Sequence, residues 1–236
     1  KMLIMLKGID ISSWQENIDL LGMPIDFVIV KATEGTGYVN PYCDPKIQQA
    51  KKIGLKWGFY HYLTVGNESD AINQADYFYE SCKNYFNEGI PCVDWEGKGS
   101  PSGYYGSGAV NAFVRRIHDL TGVWPLIYSW PSWFNNGGVE SNCGRWIAYY
   151  PPVTNPSLDY DPGEVPATDG LVAMWQFASD GRVNGYNGNL DLNHFFGDRF
   201  AWDAYAHASS VSSNDDKNNE VSVLENDDYI VTVEKK

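Results

Sequence analysis

Eight short apolar runs punctuate this chain of 236 residues, and the early ones are separated by stretches with helical periodicity. The runs fall at residues 7–11, 27–32, 56–62, 90–96, 125–129, 145–150, 172–177 and 190–193. Strands alternating with helices specify parallel pairing, because a crossover helix carries the chain back to the same end of the sheet. The first helix is expected after Asp44 as N-cap, with Pro45 at the first helical position and Gly54 as its stop. The second, residues 69–85, repeats Ala71, Ala75, Phe78, Cys82 and Phe86 on one face. The third sets Val110, Phe113, Val114, Ile117 and Leu120 on one side and closes at Gly122. Helical signals then fade. The pattern is that of an α/β chain, a (β/α) barrel over residues 1–206 whose second half has thinned or lost helices.

Residues 207–220 are polar and read as a linker. Residues 221–236 carry a β-hairpin pattern, which is either packed on the barrel or the stub of a further module, since two strands alone are marginal. A formal charge of -13 argues against a nucleic-acid partner, whose phosphates call for clustered Lys and Arg. No apolar stretch is long enough to span a bilayer, so no membrane insertion is expected. Residues 1–7 are too short and too soon charged for a secretory signal. Cys43, Cys82, Cys92 and Cys143 lack metal-ligand spacing and read mostly as small core residues with free thiols.

Chemistry concentrates at Asp94-Trp95-Glu96, where a buried strand runs out into a loop rich in Gly, Ser and Tyr at 97–108. Alternation along the strand puts Asp94 and Glu96 on one face and Trp95 on the other. Two carboxyls this close raise the proton affinity of at least one of them. A protonated acid beside an ionised one is the equipment of glycosidic bond cleavage. Barrel enzymes place their chemistry at the carboxyl ends of strands. Asp10, Glu34, Tyr60, His61, Tyr128, Trp175 and Asp191 all fall at or near such ends.

These motifs, in this order, resemble glycoside hydrolase family 25, the lysozymes or N-acetylmuramidases of bacteriophage endolysins and bacterial autolysins. The resemblance rests on Asp10-Ile11-Ser12-Ser13-Trp14-Gln15, on Lys31-Ala32-Thr33-Glu34-Gly35-Thr36-Gly37-Tyr38-Val39-Asn40, on Asp94-Trp95-Glu96, on Trp175-Gln176-Phe177 and on Leu190-Asp191-Leu192-Asn193. It covers roughly residues 7–200 and says nothing of those after about 206. It implies an irregular, flattened TIM-like barrel of eight strands and fewer than eight helices. It also implies hydrolysis of the β-1,4 bond between N-acetylmuramic acid and N-acetylglucosamine in bacterial peptidoglycan, with no cofactor and no metal. The terminal segment 221–236 is then either a β-hairpin packed on the barrel or the stub of a C-terminal cell-wall-binding module. The protein would be made in the host cytoplasm and act on the wall after release.

Glu96 is the expected general acid. Asp94 has two open roles: nucleophile, or orienting group for a substrate 2-acetamido arm that itself attacks, which the resemblance favours. Asp10 and Asp191 lie on the first and last strands, neighbours in a closed barrel, and are expected to set the charge of the site. Glu34, Tyr60, Tyr62, Tyr128, Trp175 and Gln176 are the expected substrate contacts. The rival readings are pairing with Lys31 for Glu34 and a core position for Tyr62 and Trp175. His61 is expected to be a buried, hydrogen-bonded histidine.

Overall fold

A computed structural model describes residues 5–64, 67–96 and 106–208. Most of the loop at 97–108 and of the linker, and all of the hairpin at 221–236, lie outside the described residues. In order, the elements are β1 (Leu6–Ile11), β2 (Phe27–Glu34), β3 (Tyr38–Val39), α1 (Cys43–Ile53), β4 (Lys56–Tyr62), α2 (Glu68–Cys82) and β5 (Ile90–Asp94). Then come α3 (Ser107–Thr121), β6 (Leu126–Ser129), α4 (Pro131–Phe134), β7 (Arg145–Ala148), β8 (Val172–Gly181), β9 (Leu190–Phe195) and α5 (Arg199–Ala206). The ring runs β1-β9-β8-β7-β6-β5-β4-β2 and closes where β2 pairs with β1 in parallel, Gly8 opposite Phe27 and Ile11 opposite Val30. This is the expected eight-stranded barrel with fewer than eight helices among the described residues. β3 is an addition, a short antiparallel flap on β2.

The last strand departs from the expected scheme. β9 runs antiparallel to both β8 and β1. The cause is the connection before it: residues 182–189 are too few for a crossover, which takes a dozen or more, but ample for a hairpin. The beginning of β9, not its carboxyl end, therefore reaches the mouth formed by the carboxyl ends of the other strands. Asp191, its second residue, arrives there directly opposite Asp10.

Alternation divides the apolar side chains into two layers. Val28, Val30, Phe59, Val93, Trp175 and Phe177 point outward against α1, α2, α3 and the loops. Phe27, Ile29, Ile90, Cys92, Leu126, Met174 and Phe195 fill the barrel interior. Trp202 of α5 closes its floor, 4.6 Å from the Phe27 ring and 5.0 Å from Phe195. All four cysteines are buried as free thiols. Among the described residues no helix is long and apolar enough to cross a membrane.

Gly54 and Gly122 end α1 and α3 in the left-handed conformation, as their positions suggest. Asp44 does not cap α1. Tyr42 takes that place, and Asp44 sits in the first turn, where it accepts from the Tyr85 hydroxyl at 2.6 Å. It still faces the positive end of the helix. Gly8 is fixed by contact rather than by backbone angle. A Cβ there would lie 2.4 Å from the Phe27 carbonyl oxygen and 2.6 Å from its ring. Gly8→Ala is expected to cost about 2–3 kcal/mol in urea unfolding, because backbone and floor must separate together. A cost under about 0.5 kcal/mol would mean that β1 shifts freely against β2.

Candidate active site

The inward positions at the mouth are polar where those below are apolar. Asp10, Asp94, Glu96 and Asp191 line one cavity of about 240 Å3, with Tyr60, Tyr128, Trp130, Trp146, Tyr150 and Gln176 as its walls. β5 ends at Asp94, yet the alternation continues beyond it because Trp95 N–H still bonds the Tyr128 carbonyl at 2.9 Å. Trp95 points outward, its ring 5.0 Å from that of Trp133, and Glu96 returns to the cavity.

Two hydrogen-bond systems order the acids. Asp10 Oδ2 accepts from Gln176 Nε2 at 2.8 Å and from Asn193 Nδ2 at 2.7 Å. Gln176 Oε1 in turn accepts from the hydroxyls of Tyr128 at 2.8 Å and Tyr150 at 2.5 Å. Asn193 Oδ1 accepts from the Trp146 indole at 2.8 Å. On the opposite wall Asp94 shares a hydrogen bond with Glu96, while its Oδ1 is buried without a hydrogen-bond partner.

Burial sets the protonation of the cluster. It lifts Asp10 to about 6, against the pull of the Gln176 and Asn193 donors. Asp191 rises to about 9, through burial and then the Asp10 charge. Asp94 is pushed well above the usual carboxylate range by burial and by the charge of Glu96. Tyr60, Tyr128 and Tyr150 are all pushed upward by burial, so they stay neutral hydrogen-bond donors.

The structure brings together seven of the ten expected site residues: Asp10, Tyr60, Asp94, Glu96, Tyr128, Gln176 and Asp191. Trp175 is elsewhere. Gln176 faces in, so its neighbour must face out, and the Trp175 indole is 1% exposed and bonded to the Tyr149 carbonyl at 2.7 Å. It borders a larger cavity of about 540 Å3 on the outside of the barrel, which contains none of the four clustered acids. Glu34 is turned to Lys31, 2.5 Å away, outside the acid cavity. Tyr62 stands against the Lys31 ammonium, 4.8 Å from its ring centroid, and does not line that cavity either. His61 is wholly buried, with Thr33 Oγ1 at 2.7 Å and Gln74 Oε1 at 2.9 Å. Burial holds it down to about 4, so it is neutral. Trp130, Trp146, Tyr150 and Asn193 were missed, although each keeps the parity of an inward neighbour: Tyr128, Ala148 and Asp191.

A closed barrel with paired carboxyls and an aromatic wall at its mouth is the layout of a glycoside hydrolase. Comparison with known proteins narrows the class: the model of glycosyl hydrolases family 25 matches residues 9–186, and the chain belongs to that family. It is 31% identical over 205 residues to the N,O-diacetylmuramidase of Chalaropsis sp, a match spanning 79% of this chain and 96% of the relative. It is 30% identical over 209 residues to lysozyme M1 of Streptomyces globisporus, spanning 81% and 70% of the two. Among solved structures, the muramidase from Trichobolus zukalii superposes with a TM-score of 0.67 at 28% identity, over 86% of this chain and 100% of that one. The chain is therefore a glycoside hydrolase of the lysozyme kind, and the reaction of its family is peptidoglycan hydrolysis.

Proposed function

We propose that the chain cleaves the β-1,4 bond between N-acetylmuramic acid and N-acetylglucosamine, with retention of configuration and with the substrate's own 2-acetamido group as nucleophile. The observation that carries the mechanism is the unpartnered, buried Oδ1 of Asp94 on the cavity wall. A buried carboxyl oxygen without a partner is costly, and the N–H of a 2-acetamido group is the donor this substrate brings. Accepting that N–H turns the acetamido oxygen toward the anomeric carbon and supports the positive charge that develops as the ring closes.

Proton supply follows from the same pair. Burial and mutual repulsion make Asp94 and Glu96 hold a proton between them. An N–H arriving at Asp94 favours its anion, which sends the proton to Glu96, where the leaving sugar oxygen needs it. Glu96 then takes a proton from the water that opens the cyclic intermediate, and two inversions give retention. The tyrosine hydroxyls and the Trp130 edge supply positioning contacts along the cavity.

Bond choice is tested by mass spectrometry of digested peptidoglycan after borohydride reduction. Reduced muramic acid ends are expected. Reduced glucosamine ends would overturn the assigned bond, and no new ends would overturn the reaction. The nucleophile is tested separately with walls whose muramic acid has been de-N-acetylated. Those strands are expected to resist cleavage by at least about a hundredfold, whereas a carboxylate nucleophile would still cut them.

A further inference from the structure

Asp10 and Asp191 face each other across the β1–β9 ladder and share a hydrogen bond. A hydrogen bond between two carboxyls needs one proton, and geometry decides where it sits. We propose that Asn193 and Gln176 are positioning residues that hold Asp10 as the anion of this pair and so place the proton on Asp191.

Orientation comes from a donor that has no alternative. The Trp146 indole N–H can only donate, so the oxygen of the Asn193 amide must face it. The Asn193 nitrogen is thereby aimed at Asp10 Oδ2, 2.7 Å away. Asn193 is fully buried and Trp146 nearly so, which leaves no room for the amide to turn over. Gln176 is held less strictly from the other side, because a tyrosine hydroxyl can accept as well as donate. Its oxygen receives the hydroxyls of Tyr128 and Tyr150, and reversing the amide would set that oxygen against Asp10 Oδ2. Two N–H donors occupy the lone pairs of Oδ2 and exclude a proton there. The other Asp10 oxygen is left to accept from Asp191.

Beyond these amides and the hydrogen bond from Asp191, nothing nearby favours the anion. The further titratable groups that act on Asp10 are Glu96 beyond β5, Cys92 and Asp94 of β5, Tyr60 of β4 and Tyr128 of β6, with Tyr150 beyond β7. All of them are neutral or negative. Among the described residues no ion pair reaches Asp10. The two amides are the largest of the contacts that oppose burial, ahead of the Asp191 hydrogen bond. Gln176 lines the cavity while both ends of its amide are hydrogen-bonded within the site.

The test is carboxyl carbon NMR on the full chain carrying 13C-labelled aspartate, with Asp10 and Asp191 assigned by their Asn variants. In the wild type Asp10 is expected to ionise first and Asp191 well after it. Asn193→Leu should move the Asp10 midpoint upward by about one pH unit or more, since a carboxylate loses a donor that favours its charge. Gln176→Met should do the same through the other donor, and it keeps the test open should Asn193→Leu not fold. In both variants the acid limb of the kcat/KM profile should shift with the midpoint. An unmoved Asp10 midpoint in both variants, or Asp191 ionising first, would overturn the proposal. A shifted midpoint with an unshifted activity profile would support the proposal and assign the acid limb to another carboxyl of the cluster; only this kinetic arm rests on the proposed hydrolysis.

Discussion

Glu96→Gln is expected to lower peptidoglycan hydrolysis by about 10^3-fold or more while the barrel stays folded, because a positioned general acid contributes about 10²–10⁴-fold and a sugar alkoxide leaves poorly without a proton. The amide keeps the shape of the side chain and removes its proton. Thermal stability should hold or rise, since one member of a crowded cluster of acids loses its charge. The loss should shrink on an aryl glycoside, whose leaving group needs little protonation. Reducing-end release from walls and from the aryl substrate, measured side by side, checks both parts. Activity within tenfold of wild type on walls would transfer the acid role to Asp94.

Asp191→Asn is expected to stabilise the protein at pH 8 by about 2–4 kcal/mol and to change it little at pH 4. Folding raises the Asp191 carboxyl from the usual range to about 9. In the unfolded chain it ionises near 4, so between about pH 4 and 9 unfolding releases a proton and stability falls as pH rises. Below that window both states are protonated and the penalty vanishes. Asparagine avoids the penalty, and its Nδ2 can still donate to Asp10. Urea unfolding from pH 4 to 9 measures it, and a difference independent of pH would discard the explanation. Activity should fall in the same variant, the trade between a strained site and a stable one.

The barrel was legible because β-runs and helical periods alternate over the first half of the chain. The acids were legible because their spacing places them at strand ends. What escaped was parity applied evenly. Gln176 and Trp175 were both assigned to the site, although adjacent strand residues face opposite ways. The same rule, carried one step past Tyr128, Ala148 and Asp191, reaches Trp130, Tyr150 and Asn193. The direction of β9 was also hidden, since a short connection speaks for a hairpin only once the strands on either side are placed. The cap at Asp44 failed for a different reason: Tyr85 comes from a distant turn to claim its oxygen, and no local pattern announces that.

The antiparallel β9 has a bearing on how the enzyme comes into being. It binds the end of the barrel to its beginning, and the Asn193–Asp10 bond joins residues 183 positions apart. Closing so long a loop is slow and gains its contacts only at the end. During synthesis β1 leaves the ribosome long before its partner exists, and until β9 arrives its edge is open on that side. Half of the acid cluster is then missing, because Asp191 and the Asn193 donor arrive with the same strand. A nascent or truncated chain therefore has no assembled site, and hydrolytic activity reports the final joining of the ring rather than the formation of its strands.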